Sequence, residues 1–174
     1  MQHNHTISYQ NICLRPLYEA DLEYLRMWRN NPENTRFLRT IPYITSRMQQ
    51  AWYDGYLQNE DEMTFGIVET DTLRRLIGSL SLYHFQDDQA EFGKILIGDP
   101  EAHGKRAGLH ATIAALKIGF EVLGLKKIVL DVYEENGAAV YVYQKSGFRV
   151  VDSHRTDDGR QELVMEATWE SLNA

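Results

Sequence analysis

The chain has 174 residues, 43% of them hydrophobic, which suits one domain with a sizeable core and leaves no room for a second. A formal net charge of -7 argues against a nucleic-acid or anionic-membrane surface and is compatible with a cationic partner. Cys13 is the only cysteine, which excludes an intramolecular disulfide framework and a zinc-type cysteine cluster, so no metal is expected.

The opening MQHNHTISYQN is polar and lacks a signal peptide's apolar core, and no apolar run approaches ~18 residues. A cytoplasmic protein is expected, with residues 1–10 as a flexible tail carrying His3 and His5 ahead of a single domain. A strand over Asn11 to Leu14 leads to a helix from Glu19 to Arg29 and a second helix from Ser46 to Gln58. Pro32 and Pro42 mark the intervening segment as loop. Three strands follow closely, Thr64 to Glu69, Leu76 to Phe85 and Ala90 to Ile97, joined by short polar turns of the antiparallel hairpin kind.

His103-Gly104-Lys105-Arg106-Ala107-Gly108 then opens a helical pattern in which Leu109, Ile113, Leu116 and Phe120 recur at three and four. Free backbone N–H groups and the positive helix end at such a turn suit a pyrophosphate, and Lys105 and Arg106 add charge. The turn is not a nucleotide P-loop, since GxxxxGK[ST] is absent.

After a strand over Lys127 to Tyr133 comes NGAAVYVYQKSGF. Asn136 is a favoured N-cap type, and Ala139 and Tyr143, four apart, share one helical face. A phenol with an unperturbed pKa of about 10 is protonated at neutral pH, so Tyr143 can give a proton to a departing thiolate whose pKa is near ~8.5. Gly147 ends the helix and Phe148 begins the next strand; strands near Phe148 to Ser153 and Glu162 to Ala167, joined through Asp157-Asp158-Gly159, complete a mixed sheet with helices on its faces.

The two segments together resemble the GCN5-related N-acetyltransferase (GNAT) superfamily, whose carrier turn reads [QR]-x-x-G-x-[GA] and whose late motif reads N-x-x-A-x-x-x-Y-x-K-x-G-F. The late motif matches at every position. In the turn, His103 replaces Gln or Arg, Arg106 stands where the family has glycine, and Gly108 fills the last place. The opening LRPLYEADLEYLRMWRNNPENTRFL resembles the branch that holds RimJ/RimL-type ribosomal-protein, spermidine and amino-sugar-nucleotide acetyltransferases.

The resemblance implies an α/β (α+β) fold with a mixed, mostly antiparallel central sheet. It implies acetyl-CoA as co-substrate and direct attack by a primary amine in a ternary complex; related enzymes are often dimers or larger, and the oligomeric state, a homodimer among the options, stays open. Carried over residue by residue, the carrier site is Leu96, Ile97, His103, Gly104, Lys105, Arg106, Ala107, Gly108, Asn136, Ala139, Tyr143 and Lys145. Tyr143 is the leaving-group acid. Strand alternation puts Glu91 on the face of Gly93 and Ile97 and makes it the first candidate base, ahead of Asp131, Glu134 and His84. Trp28, Arg29, Asn30, Phe37 and Tyr43 are the candidate walls for a small-molecule or peptide amine, with Trp52 beside them. Three acceptors stay open: a protein or peptide N-terminus, an amino-sugar nucleotide, and a polyamine. Arg106 keeps open a binding domain of the same fold that senses an acyl-CoA or an amine without turnover.

Overall fold

The computed structural model describes residues 2–37 and 42–173. Eight strands form one sheet: β1 (Ile7–Tyr9), β2 (Ile12–Pro16), β3 (Glu62–Glu69), β4 (Arg75–Gln86), β5 (Gln89–Ile97), β6 (Lys127–Tyr133), β7 (Arg149–Arg155) and β8 (Gln161–Thr168). Their spatial order is β1-β2-β3-β4-β5-β6-β8-β7, antiparallel throughout except for the parallel pair β5/β6. The helices are α1 (Leu22–Asn30), α2 (Pro32–Thr35), α3 (Ser46–Gln58), α4 (Ala107–Lys117), α5 (Gly137–Lys145) and α6 (Trp169–Leu172).

Alternation along the strands sorts side chains between two faces. Phe65, Leu80 and Leu82 are fully buried beneath α4, whose Ala111, Ala114 and Ala115 let the helix backbone approach the sheet. The intervening Thr64, Ser79 and Ser81 point to the opposite face, where α1 and α3 form a smaller core from Leu17, Leu22, Leu25, Tyr53 and Tyr56. Arg15 ties β2 to the start of α1 through a two-pronged pair with Asp21, at 2.6 and 2.9 Å, and Asp21 also accepts the Tyr18 backbone N–H at 2.8 Å. The Leu14-Arg15-Pro16 and Asp21 signature of the sequence is therefore a structural clasp.

Within the expected flexible tail over residues 1–10, Ile7–Tyr9 instead joins the sheet. Ile7, Ser8 and Tyr9 pair with Leu14, Cys13 and Ile12 in a hairpin turned by Gln10 at positive φ. His3 lies against the Phe65 ring, centroids 4.3 Å apart, with Nε2 3.1 Å from the Thr64 carbonyl oxygen. Polarity hid a short strand whose apolar contacts come from Ile7 and Tyr9 alone. The helix that opens at the His103–Gly108 turn starts at Ala107, because Arg106 takes a left-handed conformation at φ 59°, and its last stretch, Ile118–Val122, widens into a π-turn.

Two features set the geometry of the central cleft. β5 and β6 pair only through Gln89–Lys127, Ala90–Ile128 and Glu91–Val129, and beyond Glu91 the strands part. On its other side β5 carries a bulge: Ser81 faces Gly93 and Ser79 faces Leu96, so Leu80 alone opposes Lys94 and Ile95. Lys94 has φ 53°, and the bend lifts it toward Glu62.

Glu69, 1% exposed, organises the β3/β4 turn. Burial pushes its pKa up, but the backbone N–H groups of Leu73, Asp71 and Thr72 and the Asn11 amide donate to it and win, drawing it down to about 2. A depressed carboxylate stabilises the fold above its unfolded pKa of about 4.5 and loses that contribution as pH falls toward 2. Glu69→Gln is expected to destabilise the protein by about 1–3 kcal/mol at pH 7 in denaturant unfolding, with the difference from wild type shrinking between those two pH values.

Candidate active site

Where β5 and β6 part, a cleft of about 550 Å³ opens, floored by Phe92 and lined by Tyr143, Asn136, Glu91, Asp131, Glu162 and Phe37 among others. Asn136 caps α5, its Oδ1 accepting the Ala139 N–H at 3.3 Å. The helix so anchored buries Tyr143 to 8% exposure between Phe92 and Phe148, whose ring centroids lie 5.9 and 5.8 Å away. Among the described residues no hydrogen-bond partner meets the Tyr143 hydroxyl, which therefore faces the cleft. Desolvation, with a smaller effect of Tyr83, pushes its pKa up to about 12 and keeps it protonated at neutral pH.

Glu91 stands across the cleft mouth. Its carboxylate is 3.1 Å from His84 Nδ1, and Tyr83 is the residue opposite it in register. Tyr83 is raised to about 12 by burial first and by Glu91 next, so it too is a fixed donor. Asp131 and Glu162 complete a carboxylate cluster drawn from three strands. Desolvation raises Asp131 above the ordinary carboxylate range, and Glu162 and Glu91 add to that rise. Glu162 was not among the candidates; it sits on β8 opposite Tyr133, and only the sheet order brings it to the cleft. Glu134 does not line this cleft; its backbone N–H bonds the Gln161 carbonyl.

A second space of about 720 Å³ lies over the start of α4. His103, Gly104, Arg106, Ala107 and Gly108 line it from the turn, Ile97 from β5, and Ala138, Tyr141, Val142 and Lys145 from the outer side of α5. Ala139 turns inward instead and packs on the core. Lys105 is exposed and does not line the space. Leu96 is buried opposite Ser79, and the Ile97 carbonyl is already engaged by His103 Nε2 at 2.8 Å. From Phe92 to Ile97 no strand among the described residues pairs with the β6 side of β5, so an extended ligand bearing amides can complete that edge. The α4 N-terminus and the side chains of Arg106 and Lys145 suit phosphates at the end of such a ligand.

Both spaces border the stretch of β5 that has parted from β6. Residues 11–149 match the family model described as Acetyltransferase (GNAT) domain. The chain belongs to the GNAT acetyltransferase family. It is 33% identical over 143 residues to a spermidine N(1)-acetyltransferase of Escherichia coli, covering 82% of this chain and 75% of that one. A spermidine N(1)-acetyltransferase of Vibrio cholerae is 31% identical over 149 residues, 84% of this chain and 83% of the other. The crystal structure of spermidine N-acetyltransferase from Vibrio cholerae in complex with CoA and spermine superposes with a TM-score of 0.82 over 94% of this chain and 99% of that one, at 24% identity, and so attests the fold.

This GNAT protein is an N-acetyltransferase that uses acetyl-CoA as co-substrate. The sensing domain without turnover gives way to the enzyme. Among the described residues no group of three or more His, Cys, Asp or Glu is placed to hold a metal, and no helix is long and apolar enough to cross a membrane.

The five candidate acceptor walls are distributed differently. Phe37 lines the Tyr143 cleft, whereas Arg29 lines a separate chamber beneath α1 and α3 together with Trp52. Asn30 is a latch, its amide donating to the Ile44 carbonyl and accepting the Ile44 N–H, both at 2.8 Å. The Tyr43 hydroxyl accepts from Arg26 at 3.1 Å, and Trp28 packs against Gly98, where an added Cβ would lie 2.1 Å from its ring.

Arg106 bears on the carrier turn in two ways. Its left-handed backbone is one that glycine adopts without strain, so Arg106→Gly is expected to raise stability by about 0.5–1 kcal/mol in thermal or denaturant unfolding. The same change removes a cation from the turn and should weaken acetyl-CoA binding by roughly 3- to 10-fold in calorimetry. Tighter binding by the variant would show that the side chain obstructs the turn.

Proposed function

We propose that this enzyme acetylates a polycationic amine, with a polyamine such as spermidine as the acceptor class. The observation that carries this reading is the cluster of Glu91, Asp131 and Glu162 around the cleft onto which the Tyr143 hydroxyl opens. Three carboxylates from β5, β6 and β8 attract an acceptor with several positive charges and repel the diphosphate of an amino-sugar nucleotide. The spermidine acetyltransferases among its relatives support the same class. A ribosomal-protein N-terminus, the acceptor of the RimJ/RimL type, offers one cation where the cleft offers three carboxylates.

In the proposed ternary complex, the acceptor nitrogen attacks the thioester carbonyl. A C–N bond forms as the C–S bond breaks. Glu91 takes the ammonium proton, through a water, to free the nitrogen lone pair; Tyr143 gives its proton to the thiolate, and the second proton that the nitrogen sheds on becoming an amide restores the phenol. A backbone N–H near Leu96 or Ile97 on the parted edge of β5 polarises the carbonyl. A phenol at about 12 is a reluctant acid toward a thiol in water. Inside the cleft the desolvation that raises Tyr143 also disfavours the thiolate, which narrows the gap at the moment of departure.

The test is a calorimetric series of propylamine, putrescine and spermidine against the acetyl-CoA-bound Tyr143→Phe protein. Affinity should rise with each added charge and fall with salt. Because Asp131 holds its proton to higher pH than an ordinary carboxylate, acidification from neutral should raise the KM for spermidine early, and Asp131→Asn should flatten that dependence. Equal affinity across the three amines would contradict the polyamine reading.

A further inference from the structure

Beneath α1 and α3, on the sheet face opposite α4, lies a chamber of about 320 Å³ that neither the space over α4 nor the acceptor cleft requires. Its apolar side is built by Ile44, Met48 and Trp52, and its polar end by Glu62, Lys94 and Arg29. The Glu62 carboxylate is occupied: Lys94 donates to Oε2 at 2.7 Å, and Thr64 and Ser81 donate to Oε1 at 3.2 and 3.0 Å. Arg29 is in a different position. Its side chain is partly buried, and burial pulls its pKa down, while Glu62 offsets part of that as a nearby charge. No hydrogen bond or ion pair joins it to any described residue.

A guanidinium offers five donors in a planar fork, and those of Arg29 stand open at the chamber wall without a partner among the described residues. With Arg29 and Lys94 against Glu62, the polar end carries one net positive charge. Planar bidentate pairing is what a carboxylate supplies, and the Trp52 and Met48 wall favours an apolar body behind it.

We propose that this chamber is a binding site for a small organic carboxylate with an apolar or aromatic body, held by Arg29 and packed against Trp52. The inference goes beyond the acceptor reading, since acid binding needs no turnover. Lys94 lines both the chamber and the Tyr143 cleft, so the two spaces meet at the β5 bulge. The carboxylate can therefore belong to a separate small molecule or to the far end of an amine acceptor.

The experiment titrates the acetyl-CoA-bound protein calorimetrically with phenylacetate and hexanoate, each against its amide. Each acid should bind at least 10-fold more tightly than its amide, and Arg29→Met should erase that preference while leaving acetyl-CoA binding unchanged. Arg29→Lys, which keeps the charge and loses the fork, should retain part of it. Repeating the acid titration with spermidine bound separates the sources: additive binding marks a separate ligand, and mutual exclusion marks the acid end of an acceptor. Acids that bind no better than their amides, or a preference that survives in Arg29→Met, would overturn the proposal. Acetyl-CoA binding by each variant reports that it is folded, independently of the acid result.

Discussion

Tyr143→Phe is expected to lower kcat by about 10²- to 10³-fold while leaving the affinity for acetyl-CoA within about 2-fold. The ring is held by Phe92 and Phe148 through its edges and faces, contacts that phenylalanine reproduces, so the fold and the space over α4 should survive the change. Only the hydroxyl is lost, and no described residue depends on it for a hydrogen bond. The loss should fall on the step in which sulfur departs. A carrier with a better leaving group should restore much of the rate, because a less basic thiolate has less need of a proton. Steady-state thiol release and calorimetry on the same preparation check both halves. Parallel losses of binding and turnover would instead mark Tyr143 as part of the carrier site.

Glu91→Gln carries the second large effect, a fall in kcat/KM of about 10²-fold with spermidine. Two roles are proposed for this residue, attracting the cation and accepting its proton. They separate when the acceptor is changed. An amine that is already neutral at the assay pH, such as trifluoroethylamine, needs neither, so its acetylation should be nearly indifferent to the substitution. An equal loss with both amines would point to a disturbed cleft, through the contacts of Glu91 with Tyr83 and His84, and would remove Glu91 from the base role. Asp131→Asn offers the contrast: it should raise the KM for spermidine with little change in kcat, because Asp131 contributes charge without standing at the mouth beside Tyr83.

The parts of this site that were legible in the sequence are those built by local rules. Asn136 as an N-cap, the Ala139–Tyr143 spacing and the glycine that closes α5 are all contained in thirteen consecutive residues, and the structure places them as their local chemistry requires. Helix α3 begins after a Thr45 cap and ends at Gln58, where its periodicity stops. Long-range arrangements were not legible in the same way. The chamber around Arg29 depends on a bulge at Lys94 whose partner, Glu62, is 32 residues away in the chain. Glu162 reaches the cleft only because β8 inserts between β6 and β7. Asn30 and Tyr43 had the composition of a pocket wall, yet their polar atoms are spent on Ile44 and Arg26. Arg106 was legible as a departure from glycine, and the positive φ explains why glycine fits there.

The central claim is that the cleft between β5 and β6 passes an acetyl group from acetyl-CoA to a cationic amine. The most direct measurement is the initial rate of free thiol release from acetyl-CoA with spermidine, for the wild-type protein and for Tyr143→Phe, with the product identified by mass. Saturable, spermidine-dependent release by the wild type, one acetyl group gained by spermidine, and a rate at least about 10²-fold lower in the variant are expected. Thiol release that is independent of amine, or acetylspermidine formed equally well without the Tyr143 hydroxyl, would contradict the central claim.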